Sequence, residues 1–91
     1  MGHRIELEEI EAEINKVDKI KRACCIYNHE KNKICAFYIG EIAKNDLRDS
    51  LSKILPIFMI PNLLIQVESF PLNKNGKIDR NQLLLNYISK K

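Results

Sequence analysis

Ile20-Lys21-Arg22-Ala23-Cys24-Cys25-Ile26-Tyr27, the polar run Asn28 to Lys33, and Ile34-Cys35-Ala36-Phe37-Tyr38-Ile39 form the stretch that decides the fold. The first run reads as a strand. The last, rich in β-branched and aromatic residues, reads as a second. The polar residues between them are turn-like, and so short a connection makes the pair an antiparallel hairpin.

On the N-terminal side, Gly2 to Ile5 looks like the tail of an extended segment. Leu7, Ile10, Ile14 and Val17 then recur at helical spacing, which predicts an amphipathic helix over roughly 7–17. Its glutamates come early and Lys16, Lys19 and Lys21 follow, as the helix dipole favours. Beyond the hairpin, a second helix starts at Asn45 or a neighbour, with Leu47, Leu51, Ile54 and Leu55 as its buried stripe. Pro56 ends it, and Pro61 closes Ile57 to Ile60. Leu63 to Val67 is a third strand, and Arg80 to Ser89 a last helix. The order predicts an α+β fold: a small three-stranded sheet, made of the antiparallel hairpin and one further strand, packed with about three helices.

The 91 residues make one small domain with a modest core. A 45% hydrophobic and 30% charged composition is ordinary for a soluble globular protein. No apolar run approaches the length of about 20 residues that a membrane span needs, and the glutamate-rich N-terminus is not a signal peptide. The net charge of +3 is too small to argue for nucleic acid. Cys24, Cys25 and Cys35 have no metal-binding spacing and read as small apolar fillers in a reduced, cytoplasmic protein. Cys24 and Cys25, adjacent on a strand, point to opposite faces.

The residues that carry chemistry are few. The glutamates at 6, 8, 9, 11 and 13 fall on solvent-face positions of the first helix and read as a charged surface. His3 and His29 have no nucleophile or acidic partner at a telling spacing. No Gly-rich phosphate loop is present, and no metal site is expected. What stands out is Pro71-Leu72-Asn73-Lys74-Asn75-Gly76-Lys77-Ile78-Asp79-Arg80. Asn75-Gly76 is a strong turn signal, since both residues tolerate positive φ. Asp79 followed by Gln82 reads as a helix N-cap with its capping-box partner. Lys77 is thus presented between two rigid features, as suits a cation offered to a phosphate or carboxylate on another surface.

Three motifs raise the weight of that lysine. Gly2-His3-Arg4-Ile5-Glu6-Leu7-Glu8-Glu9-Ile10-Glu11 resembles the GxRIELxEIE motif of amino-acid adenylation domains. Leu55-Pro56-Ile57-Phe58-Met59-Ile60-Pro61 resembles their LPxYMIP motif, and Pro71 to Arg80 resembles their PLxxNGKIDR motif. The three stand in family order and span nearly the whole chain. The chain therefore resembles, over residues 1–91, the C-terminal lid subdomain of an adenylate-forming enzyme. Its relatives would be adenylation domains of nonribosomal peptide synthetases and D-alanine–carrier-protein ligases.

The resemblance implies an ATP- and Mg²⁺-dependent ligase that joins an amino acid to AMP and passes it to a phosphopantetheine thiol on a carrier protein. It implies Lys77 as the catalytic lysine for acyl-adenylate formation. Gly2 is implied in the loop lining the pantetheine tunnel, against the plainer reading of a turn glycine. Arg4 meets phosphate or carrier groups, or pairs with a nearby glutamate. The implied partners are the N-terminal adenylation subdomain and a phosphopantetheinyl carrier protein, with no nucleic acid and no membrane. The family's hinge and N-terminal subdomain lie upstream of Gly2, so this fragment is expected to hold no ATP or Mg²⁺ by itself and to be inactive alone. The alternative is a non-catalytic module that docks a carrier protein or a neighbouring domain.

Overall fold

The computed structural model describes residues 7–89. Gly2 and Arg4, with the extended start expected around them, lie outside the described residues. The elements run α1 (Leu7–Asn15), β1 (Ile20–Asn28), β2 (Lys33–Gly40), α2 (Lys44–Ser52), a 3₁₀ turn (Ile57–Met59), β3 (Leu63–Gln66) and α3 (Arg80–Ser89). The sheet order is β1-β2-β3. β1 and β2 pair antiparallel, with Cys24 opposite Phe37 and Tyr27 opposite Ile34. β3 lies parallel to β2, with Phe37 opposite Ile65. The expected α+β architecture is the one observed: a hairpin, one further strand and three α-helices.

Side-chain alternation divides the interior in two. Ala23, Cys25, Ile34, Ala36, Tyr38 and Leu64 point to one face, where Ile10 and Ile14 of α1 and Leu47 and Leu51 of α2 close over them. Cys24, Cys35 and Phe37 point to the other face and meet Leu83 of α3. Cys24 and Cys25 do face opposite ways, and all three thiols are buried. The buried Tyr38 hydroxyl donates to the Ile42 carbonyl at 2.9 Å, so the ring enters the core without an unpaired polar atom. A Cβ on Gly40 would lie 2.3 Å from the Lys19 carbonyl oxygen. The hairpin mouth, irregular between Ile20 and Arg22, closes only over a residue without a side chain.

Two boundaries differ from the sequence reading. α1 ends at Asn15, short of Val17. α2 ends at Ser52, four residues before Pro56, and Ile54 is half-exposed rather than part of the buried stripe. Pro56 instead stands in extended conformation just before the 3₁₀ turn, as its cap residue. Arg48 of α2 donates to the carbonyls of Pro61 and Asn62 at 3.0 and 3.3 Å, which ties this connection to the helix. Asn62 pairs with Ile34 through both its amide and its side-chain oxygen, at 2.9 and 2.8 Å, and so guides β3 alongside β2. Among the described residues, no helix is long and apolar enough to cross a membrane.

Candidate functional site

Lys77 sits on a closed hairpin between β3 and α3. The Asp79 N–H donates to the Pro71 carbonyl at 2.8 Å, and Leu72 and Ile78 form an antiparallel bridge. The Asn73 N–H donates to the Lys77 carbonyl at 2.8 Å, and the Gly76 N–H donates to the Asn73 carbonyl at 3.0 Å. Asn73 Oδ1 accepts from the amides of Asn75 at 2.8 Å and Lys77 at 3.1 Å. Within this turn Gly76 takes a positive φ, +79°, and Asn75 does not. The turn is thus organised by Asn73 through an Asx-type bond, with one left-handed glycine. The Lys77 backbone is held from both sides, its side chain is exposed, and its ammonium has no partner among the described residues.

Asp79 caps α3: its Oδ1 accepts from the Gln82 N–H at 3.0 Å. The return half of the expected capping box is not made, because the Gln82 amide donates instead to Asn86 Oδ1 at 2.8 Å. Ile78 packs into the cluster around Phe37 and Leu83, so the hairpin has one apolar anchor.

The second anchor is polar, and the sequence reading missed it. Arg80 Nη1 lies 2.6 Å from Glu11 Oε2, 2.8 Å from the Cys25 carbonyl oxygen and 3.2 Å from Cys24 Sγ. Its Nη2 lies 3.4 Å from Glu11 Oε1. Glu11 Oε2 also accepts from the Cys25 N–H at 2.7 Å. One turn along α1, Asn15 Oδ1 accepts from the Ala23 N–H at 3.0 Å. Glu11 is therefore not part of a solvated face. It lies one turn before Asn15 on the flank of α1 beside the buried Ile10 and Ile14, and the two together occupy the outer edge of β1. Edge-strand amides left open would invite pairing with another chain, and here side chains fill them. The hydrogen bond to Glu11 holds the Arg80 proton more tightly still, so the guanidinium stays charged.

The available signal was the residue type at the ends of two motifs. Glu11 closes the first and Arg80 closes the third, 69 positions apart in the chain. Two grooves among the described residues lie between β3 and α3, about 990 Å³, and beside Arg80 between α1, β1 and α3, about 850 Å³. Lys77 lines neither. Burial pushes the Cys24 thiol up to about 11, with the Arg80 charge pulling the other way, so these cysteines are protonated packing groups at neutral pH. Among the described residues, no group of three His, Cys, Asp or Glu side chains is arranged to hold a metal ion.

No family model matches the chain. Gramicidin S synthase 2 of Brevibacillus brevis is 46% identical over 87 residues, which is 90% of this chain and 2% of that protein. A solved four-domain nonribosomal peptide synthetase, bound to AMP and glycine, shares the fold with a TM-score of 0.77 and 33% identity, over 88% of this chain and 6% of its own. Over nine tenths of its length the chain is similar to segments of nonribosomal peptide synthetases, consistent with a C-terminal adenylation subdomain. The chain also superposes on a Mycobacterium tuberculosis fatty acyl CoA synthetase with a TM-score of 0.84. That likeness, at 21% identity over 98% of this chain and 19% of the synthetase, concerns the fold alone. The chain spans about one fiftieth of the length of the gramicidin S synthase it matches.

Proposed function

We propose that residues 1–91 are the C-terminal lid subdomain of an ATP-dependent amino-acid adenylating ligase, and that Lys77 is its catalytic lysine. The observation that carries this reading is the exposed ammonium of Lys77, unpartnered among the described residues, on a turn whose backbone is fixed at both ends. The reading is supported by the similarity to gramicidin S synthase 2 and to a solved nonribosomal peptide synthetase bound to AMP and glycine.

In the proposed reaction two anions, the substrate carboxylate and the α-phosphate of ATP, must meet. Negative charge builds on the phosphoryl oxygens as pyrophosphate leaves. A compact cation carried in on a rigid tip offsets that charge without reorganising in the transition state. The described residues fit this one role: they offer a cation but no phosphate cradle. The rest of the nucleotide site, and the Mg²⁺ that accompanies ATP, belong to the N-terminal subdomain. Gly2 and Arg4 are proposed to line the path of the pantetheine arm when a carrier protein collects the acyl group.

The test is a chimera in which this segment replaces its counterpart in gramicidin S synthase 2. Amino-acid-dependent ATP–pyrophosphate exchange is measured with and without Lys77→Ala. Loss of a preorganised charge donor is expected to lower exchange by about 10²–10³, or about 3–4 kcal/mol. Lys77→Arg is not expected to restore it, because the planar guanidinium is not a compact point charge. An active chimera that keeps normal exchange after Lys77→Ala would refute the catalytic reading and leave the docking alternative.

A further inference from the structure

The geometry points to Glu11 and Arg80 as positioning residues that aim Lys77, an inference that rests on the catalytic reading of Lys77 above. The hairpin closes at Asp79, where its amide meets the Pro71 carbonyl, and Arg80 is the next residue. Arg80 is held by three groups from two other elements: the Glu11 carboxylate of α1, and the Cys25 carbonyl and Cys24 sulfur of β1. Glu11 is itself fixed by the Cys25 amide, so the carboxylate reaches Arg80 already oriented. Its side chain is only 16% exposed, whereas that of Arg80 is 46% exposed. The pair spends little of its geometry on free rotation. It joins the start of α3 and the base of the Lys77 hairpin to the edge of the sheet.

Ile78 alone does not supply that constraint. An apolar contact is non-directional and lets a hairpin pivot about it. Several short bonds from one guanidinium in different directions fix rotation as well as distance. Lys77 lies three residues from that fixed point, on a turn too tight to flex internally. The orientation of the ammonium therefore follows the orientation of Arg80.

The test uses the same chimera and a double-mutant cycle read by kcat and KM. Glu11→Gln keeps an oxygen for the Cys25 amide and removes only the charge. Arg80→Gln removes the fork. Each is expected to lower kcat for exchange about tenfold, within the roughly 10²-fold that a 1 Å misplacement of a reacting group costs. KM for ATP and for the amino acid should stay within about twofold, since neither residue is placed on the substrate. Arg80→Lys keeps a cation that reaches one acceptor, and its kcat should fall between Arg80→Gln and the parent. The deciding variant combines Arg80→Gln with Lys77→Ala. A residue that works by aiming Lys77 adds no loss once Lys77 is gone, whereas a general fold defect multiplies through. Full multiplication, or an unchanged kcat in Arg80→Gln while Lys77→Ala is impaired, overturns the positioning role and leaves the catalytic lysine standing. Normal exchange in Lys77→Ala overturns both.

Discussion

On one face of the sheet, α1 and α2 close over Cys25, Ala36, Tyr38 and Leu64 with four fully buried aliphatic side chains of their own. On the other face, α3 and the Pro71–Asp79 hairpin lie over Cys24, Cys35 and Phe37, and Leu83 is the buried α3 residue that meets them. Around that centre stand half-buried groups such as Ile78, Leu84 and Tyr87, with the Tyr87 ring edge-on to Phe37 at 5.9 Å. The first face is what makes the domain stable. The second carries Lys77, and it is held by a shallower apolar layer, a T-shaped ring pair and the Arg80–Glu11 contact. On the proposed reading Lys77 must be presented in a fixed direction, and on this thinly buried face hydrogen bonds supply that direction.

The sharpest way to break the comparison is to open an equal hole on each side. Leu51→Ala removes a fully buried side chain from the thick face and is expected to cost about 3–5 kcal/mol, the upper part of the usual range for such cavities. Leu83→Ala opens the thin face, where half-exposed neighbours can settle into the space, and should cost about 2–3 kcal/mol. Denaturant unfolding of the two variants compares them directly. Equal losses would mean that the two faces contribute alike and that the Lys77 side is no softer than the other.

The two adjacent thiols probe the same contrast from within one strand. Burial raises both, with the Glu11 charge pushing Cys25 further and the Arg80 charge drawing Cys24 back to about 11. A thiol that stays protonated when folded and ionises when unfolded favours the folded state below the unfolded value and loses that advantage as pH rises. For Cys24 the window runs from 9.0 to about 11. There the unfolded chain binds fewer protons, so stability falls with rising pH. Cys24→Ala should flatten the decline between these limits in unfolding titrations. A thiol reagent at alkaline pH should label Cys24 before Cys25. Labelling in the reverse order would show that the thick face opens first.

Much of this was legible in the sequence, and the reasons are local. The hairpin follows from two apolar runs about a short polar connection, and α1 from Leu7, Ile10 and Ile14. The turn that presents Lys77 was readable from Asn-Gly, although its organiser is Asn73, whose side chain collects two amides. What escaped were features set by tertiary contact. Glu11 sits on a helix flank that periodicity assigns to solvent, and only the packing of α1 along the edge of β1 turns it inward. Ile54 fits a helical stripe, yet the helix ends before it because Lys53 already closes the last turn. The Glu11–Arg80 contact spans 69 residues, a distance over which spacing carries no information.

The smallest expected effect concerns how α3 begins. Asp79 Oδ1 takes the Gln82 amide, and no reciprocal bond returns from the Gln82 side chain. The cap therefore rests on one oxygen. Asp79→Ala should cost about 1 kcal/mol, typical of a lost side-chain cap. Asp79→Asn keeps an acceptor and loses only the favourable charge at the helix N-terminus, so it should cost a few tenths, about 0.3–0.5 kcal/mol. Gln82→Ala should leave the cap intact, because its side chain is committed to Asn86. If the sequence pattern rather than the observed geometry governs this end of the helix, Gln82→Ala will cost as much as Asp79→Ala. The three melting curves, measured side by side, separate a single-oxygen cap from a true capping box. They also show whether the start of α3 is held by its own residues or by Arg80, the next residue along.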